Sequence, residues 1–132
     1  MRASLAALIL CLSGAAAARD LGEWTDGTDG VRAWFGRQMQ PDYPAQSCCG
    51  EADAYWADAF EISDGRFFAI VTDERDDAPL QRPHLPPGTR VEIPPHKFKD
   101  PRGDPNPTGH GIVFLRAGDG QVYCYFNPPG GV

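Results

Sequence analysis

The chain has little that would let it cross a membrane or bind a nucleic acid. Its longest apolar run, residues 5–12, is far shorter than the roughly 20 residues that a bilayer-spanning helix needs. Basic residues are also few, because 12 Lys and Arg stand against 18 Asp and Glu, which gives a net charge of −6. Nucleic acids and anionic lipid surfaces both require a basic face on their protein partner. We therefore expect no membrane span and no nucleic-acid partner.

The common catalytic and metal-binding motifs are missing as well. The sequence has no CxxC pair, no HExxH motif and no phosphate-binding glycine loop. Neither residues 26–30 nor residues 100–106 supply the Asp-x-Asp-x-Asp-Gly pattern of an EF-hand loop. Nothing in the local sequence attaches His84, His96 or His110 to a cysteine or serine nucleophile. We expect a protein that is not an enzyme.

The N-terminus has the three parts of an export signal. Met1-Arg2 provides a positive start, residues 5–12 form a short apolar core, and residues 15–18 are four alanines that suit a signal peptidase. We expect residues 1–18 to be removed, which leaves residues 19–132 as a single globular domain with one modest core. Cleavage removes Arg2 and no acidic residue, so the remaining chain is more acidic still. The expected location is the periplasm or the medium.

Cleavage would also remove Cys11, and three cysteines would remain: Cys48, Cys49 and Cys124. Thiols oxidise in exported proteins, and a bond that closes a loop of about 75 residues stabilises the fold by roughly 4 kcal/mol in the chain-entropy model. We expect a disulfide bond from Cys124 to either Cys49 or Cys48. The third thiol is then left over, either buried, bonded to a partner or available to a soft metal.

Apolar periodicity predicts one helix ahead of the strands. Val31, Trp34, Phe35 and Met39 recur at helical spacing, which predicts an amphipathic helix over residues 29–40. The stripe formed by these side chains is typical of a helix that packs its apolar face on a sheet. We expect it to be part of the core and not a ligand site.

Alternating apolar residues predict about five strands. They are expected over residues 55–63, 66–72, 89–93, 111–116 and 121–126. Asp64-Gly65 between the first two is a strong hairpin signal. In the last strand, Val122, Cys124 and Phe126 are expected to share one inward face, because side chains alternate along a strand. The prolines are concentrated between these hairpins, since nine of the 13 lie between residues 79 and 107.

Charge is distributed unevenly along the middle of the chain. Residues 51–77 contain nine acidic side chains against two basic ones, whereas residues 82–102 contain five basic against two acidic ones. One interpretation is an acidic face that a basic face neutralises within the fold. The other is a site for a hard cation, because such ions prefer carboxylate ligands.

The predicted ligands of that cation are Glu51, Asp53 and Asp58. The first two directly follow the cysteine pair, so a disulfide bond there would fix their backbone. Asp58 has the strand parity of Trp56 and Phe60, where an apolar residue is expected if that face is buried. Its carboxylate must therefore lie beyond the core or have a partner, and a metal ion is one candidate. Water, a small anion or a second protein molecule would complete such a site.

Three segments carry a resemblance to known proteins. They are Ser-Cys-Cys-Gly-Glu-Ala-Asp-Ala-Tyr from residue 47, Asn-Pro-Thr-Gly-His-Gly-Ile-Val-Phe-Leu from residue 106 and Val-Tyr-Cys-Tyr from residue 122. The pattern resembles a family of small exported alphaproteobacterial proteins. In size, expected compartment and acidity the chain is also similar to the landiscernin family, the periplasmic lanthanide-binding proteins of methylotroph uptake clusters. That similarity implies an exposed metal site of few ligands, metal-centred dimerisation and transfer to a partner, and it assigns no residue here.

These observations predict an α+β fold, with a small antiparallel sheet or partly closed barrel of about five strands and one N-terminal helix. The predicted function is a periplasmic binding protein for a hard metal cation, Ca²⁺ or a lanthanide, that passes its metal to a partner. A homodimer or a periplasmic protein is the expected partner. The alternative is a non-catalytic interaction module of the envelope that docks another protein without metal.

Overall fold

The computed structural model describes residues 29–130. The predicted signal peptide, residues 1–18, lies outside the described residues. Helix α1 spans Asp29–Arg37. Six strands follow in the described range: β1 Ala54–Trp56, β2 Ala59–Ser63, β3 Arg66–Ile70, β4 Arg90–Glu92, β5 Ile112–Leu115 and β6 Val122–Phe126. In that range, no helix has the length and apolar character needed to span a bilayer.

The strands form two three-stranded antiparallel sheets, in the orders β1–β5–β6 and β2–β3–β4. The α+β class with an N-terminal helix is therefore confirmed, while a partly closed barrel is not. The single strand predicted over residues 55–63 is wrong. The chain leaves the first sheet after Trp56 and enters the second at Ala59, so β1 and β2 pair with different neighbours.

The β1–β5–β6 sheet is buried on both faces. All four residues of β5 are buried, which explains its uninterrupted apolar sequence, and they alternate between two cores. The helix-side core contains Trp34, Phe35, Cys48, Ala54, Ile112, Phe114, Cys124 and Phe126. The sheet-side core contains Tyr55, Ala57, Ala69, Ile93, Val113, Leu115, Val122 and Tyr125.

A β-bulge divides the residues of β6 between these cores. Phe114 pairs with Cys124, but the next residue of β5, Leu115, pairs with Val122. The extra residue, Tyr123, reverses the alternation of side chains. Cys124 therefore faces the helix-side core while Val122 enters the sheet-side core, and the prediction that both share one face is wrong.

Helix α1 ends at Arg37, before its predicted end. The Gln38 side-chain amide donates a hydrogen bond of 3.1 Å to the Trp34 carbonyl oxygen, which satisfies one of the acceptors that a helix end leaves open. Trp34 and Phe35 are buried as predicted. Met39 lies beyond the helix and is 38% exposed, so its predicted place in the core is wrong.

A disulfide bond joins Cys48 to Cys124, with their Cα atoms 5.6 Å apart and a sequence separation of 76. The predicted bond to Cys124 is confirmed, and of the two alternatives Cys48 is the partner. It fastens the loop after α1 to the middle of β6, and both residues are fully buried. Cys49 remains a half-buried thiol.

Candidate functional site

Glu51 and Asp53 lie in one turn of 3₁₀ helix directly after the disulfide bond. The chain enters this turn through Cys49 and Gly50, whose φ angles of 77° and 71° lie in the region that favours glycine. Both acidic residues are enclosed, with only 2% and 5% of their surface exposed. The structure therefore brings two of the three predicted ligands together, but away from the solvent.

The leftover thiol of Cys49 lies beside this turn. Its pKa is raised by burial and by the negative charge of Asp53. The thiol donates a weak hydrogen bond of 3.6 Å to the Ser47 carbonyl oxygen. Burial together with the neighbouring Cys49 raises the pKa of Tyr123 to about 12. Because only the thiolate is a strong nucleophile and metal ligand, this environment disfavours both roles for Cys49.

Asp58 lies at the corner where the chain passes from one sheet to the other. One carboxylate oxygen accepts a hydrogen bond of 2.8 Å from the Gly111 N–H, and the other lies 2.8 Å from Nδ1 of His110. The Thr72 hydroxyl contacts the same carboxylate. Asp58 is not part of a strand, so the parity argument from the sequence does not apply to it. Its carboxylate has protein partners on both oxygens.

The segment around His110 closes tightly over this corner. The imidazole ring stacks on the Trp56 indole with centroids 4.5 Å apart and planes inclined by 10°. At the next residue, a Cβ on Gly111 would collide with the carbonyl oxygen of Ala57. Only glycine allows this approach, and it places the Gly111 N–H against Asp58.

The three predicted ligands do not form one cluster. Strand β1 separates the turn of Glu51 and Asp53 from Asp58, and three strand residues span about 10 Å. Within residues 29–130, no group of three or more His, Cys, Asp or Glu side chains is arranged to hold a metal ion. The cation site at these residues stays a prediction.

A buried ionic network lies between β1 and the segment that follows β3. Asp73 accepts hydrogen bonds from the Trp56 N–H at 2.9 Å, from Arg75 at 2.6 Å and from Arg82 at 3.0 Å. Arg82 also donates to the Ala54 carbonyl oxygen at 2.7 Å. Burial acts to raise the pKa of Asp73, but the two guanidinium groups and the Trp56 N–H outweigh it and hold this pKa far below its ordinary value. The network ties the segment after β3 to β1.

Ion pairs connect the acidic stretch to the basic one that follows it. They join Glu61 to Arg90, Asp73 and Asp77 to Arg82, and Glu92 back to Arg66. Further pairs join Asp42 to Lys97, Asp100 to Arg102 and Asp104 to Arg37. Three of the nine acidic residues in the acidic stretch, Glu61, Asp73 and Asp77, therefore pair with arginines of the basic stretch, so part of the charge asymmetry is neutralised within the fold, as the first of the two interpretations expects.

An open cleft of about 420 Å³ lies between β4 and the end of the β5–β6 hairpin. Its walls are mainly apolar and include Tyr55, Leu85, Val91, Leu115 and Val122. Arg90, Glu92 and Arg116 also line it, each about half exposed. This volume lies within the range of known ligand sites. No pattern in the sequence indicates the cleft, because its walls come from distant segments that only the packing of the two sheets brings together.

No family model, curated protein or solved structure matches this chain. The chemistry of the site therefore rests on its geometry. Each of the three histidine rings contacts an aspartate: His84 contacts Asp77, His96 contacts Asp42 and His110 contacts Asp58. A carboxylate beside an imidazole orients the ring, which suits a structural role as well as a chemical one.

Proposed function

We propose that this chain is a non-catalytic interaction module of the cell envelope that docks another protein molecule through the cleft beside β4. The observation that carries the proposal is the cleft itself, a concavity of about 420 Å³ with mainly apolar walls. Apolar concavities of this size are typical of binding sites. Docking is the alternative function that the sequence predicts.

The state of the acidic side chains favours docking over cation binding. Asp58 accepts hydrogen bonds on both oxygens, and Asp73 is saturated by two guanidinium groups. A hard cation at either carboxylate would have to displace these donors. The walls of the cleft need no such displacement, since a partner side chain would replace water alone.

Site-specific photo-crosslinking tests the proposal. Ala117 lies at the cleft and Ala33 lies on α1, and both are exposed, so benzoylphenylalanine at the two positions makes a matched pair. In a cell that exports the protein, we expect the Ala117 variant to give one discrete protein adduct and the Ala33 variant to give none. Equal adducts from both variants, or none from Ala117, would contradict the proposal.

The hard-cation function remains the second candidate. The observation in its favour is that Glu51 and Asp53 lie in the same short turn behind the disulfide bond. In that function Ca²⁺ or a lanthanide would bind there, with Asp58 reached only by a rearrangement of β1. A titration with these ions separates the two candidates, because docking through the cleft requires no metal.

A further inference from the structure

We infer that the protein docked at this site is a second copy of the chain, whose β4 pairs antiparallel with the first β4 about a two-fold axis. The inference rests on the proposed function and names the partner for the same surface. It joins the two β2–β3–β4 sheets into one continuous sheet of six strands. The argument depends on the free edge of β4, its charges and the adjoining cleft.

The backbone of β4 has hydrogen-bonding groups available on its outer side. Within residues 29–130, β4 pairs with β3 alone. The Ile93 N–H donates a hydrogen bond of 2.9 Å to the Phe67 carbonyl oxygen of β3, and the Thr89 carbonyl oxygen accepts one of 2.9 Å from the N–H of Val71, just after β3. Val91 lies midway between Thr89 and Ile93. Because these groups alternate in direction along an antiparallel strand, Arg90 and Glu92 direct their N–H and C=O groups away from β3. That outer side is the edge to which another strand adds.

The side chains of β4 are complementary to themselves in one register. In antiparallel pairing centred on Val91, Arg90 of each copy lies opposite Glu92 of the other. Opposite charges on facing strands stabilise a sheet, and the same two cross-strand pairs would exchange the outward N–H···O=C bonds. Centring the pairing on Arg90 or on Glu92 would instead place like charges opposite each other. The sequence Arg-Val-Glu therefore selects a single register.

The charged side chains already lie along the outer face of the sheet. Arg90 pairs with Glu61, Arg66 pairs with Glu92, and both guanidinium groups lie over the Phe68 ring, at 4.2 Å and 5.2 Å from its centre. A carboxylate accepts bonds from more than one guanidinium group. The second copy therefore extends a row of alternating charges and does not have to break the existing pairs.

The cleft supplies the apolar part of the interface. Val91 and Leu85 line it and are partly exposed, so pairing of the two strands brings a second Val91 to its mouth and shields these side chains from water. Pairing beyond β4 is limited because Pro94 has no N–H. A short, charged edge strand normally resists pairing with other strands. Here the same features reject foreign strands and accept a copy of the chain, in a contact small enough to be reversible.

Analytical ultracentrifugation of charge-reversed variants tests the inference. The full chain is expressed in a host that exports it, and the exported protein is purified. It is studied at about 100 μM, where even a weak homodimer is populated. We expect the mass of two chains for the unmodified protein and of one chain for Arg90→Glu and for Glu92→Arg. Mixing these two variants should restore the double mass, because one edge is then wholly acidic and the other wholly basic. The double variant Arg90→Glu/Glu92→Arg should also have the mass of two chains, because its exchanged charges again lie opposite each other.

Arg102→Glu is the matched control, because Arg102 is an exposed arginine that pairs with Asp100 and belongs neither to β4 nor to the lining of the cleft. It should keep the double mass. A single mass for the unmodified protein, or a double mass that survives both single reversals, overturns the inference. If the unmodified protein is monomeric while the variant with benzoylphenylalanine in place of Ala117 still captures another protein, the proposed docking function stands without the homodimer. If Ala117 captures nothing either, both fail.

Discussion

The two faces of the β1–β5–β6 sheet are covered to different extents. On the helix side, α1, the disulfide bond and packed aromatic rings fill the space, with the Trp34 ring 5.0 Å from Phe35 and 4.9 Å from Phe126. On the other side, the second sheet leaves the cleft between β4 and the β5–β6 hairpin. The helix-side face is therefore closed, whereas the other face is open at the cleft.

The ion pairs of the molecule likewise differ in how far they are exposed to solvent. The Asp73 side chain is fully buried and its partner Arg82 is 1% exposed, whereas Arg90 and its partner Glu61 are each about half exposed. Breaking a buried ion pair leaves an uncompensated charge, while an exposed pair contributes little. Enclosed charges should therefore matter for folding and exposed ones for association.

The largest effect is expected from the disulfide bond of the closed face. Replacing Cys48 and Cys124 together with alanine removes the constraint on a loop of 76 residues. The free energy of unfolding should fall by about 4 kcal/mol in urea titrations. Cys49→Ala, which leaves the bond intact, is the control and should cost far less. Equal losses would mean that the bond does not hold the closed face together.

Asp73→Asn should have the next largest effect. The substitution keeps the shape of the side chain but leaves Arg75 and the buried Arg82 without their shared carboxylate. We expect a loss of about 3 kcal/mol in the free energy of unfolding. The control is Asp119→Asn, because Asp119 pairs with Arg116 at the surface, and the unfolding midpoint should not change. If Asp73→Asn left the free energy of unfolding unchanged, the structural role of the network would be contradicted.

Low pH should destabilise the folded protein by protonating the Asp73 carboxylate. The folded-state pKa of Asp73 lies below its unfolded value of about 3.9, so its contribution is complete above that pH and is lost as the pH falls toward the folded pKa. Unfolding midpoints should be steady from neutral pH to about pH 5 and fall below about pH 4. Asp73→Asn should show a shallower fall. Parallel curves for both proteins would exclude Asp73 as the source.

The smallest effect is expected at the exposed pair on the open side. A double-mutant cycle with Glu61→Gln and Arg90→Gln should give a coupling free energy of about 0.5 kcal/mol or less. Added salt should reduce it further, because exposed charges are screened. A coupling as large as that of the buried network would remove the distinction between the two groups of charges.

The sequence predicted the parts of the fold that depend on local pattern. The Asp64-Gly65 hairpin, the β5–β6 hairpin and the β4 strand follow from turn residues and alternation. The division of residues 55–63 between two sheets was not predictable, because Ala57 and Asp58 break the strand through contacts with distant residues. Ala57 bonds to Gly111, and Asp58 bonds to Gly111 and His110. The bulge at Tyr123 likewise depends on pairing with β5 and has no local signal.

The candidate site shows the same limit. Acid density along the sequence predicted a cluster at Glu51, Asp53 and Asp58, but charge counts do not reveal which base lies opposite each acid in space. The cleft depends on apolar residues, and their spacing in the sequence is the same whether they are buried or exposed. Both properties are decided by how the two sheets pack.

The most direct test of the account is a titration with La³⁺ and Ca²⁺ followed by tryptophan emission, since Trp56 contacts the corner of Asp58 and His110. Because Glu51 and Asp53 are enclosed and Asp58 is bonded on both oxygens, we expect no saturable change up to about 100 μM of either ion, well above the range in which calcium sensors fill. A saturable change in the micromolar range would contradict the account. If it disappeared in the Glu51→Gln/Asp53→Asn variant and persisted in Asp64→Asn, the chain would be a cation-binding protein.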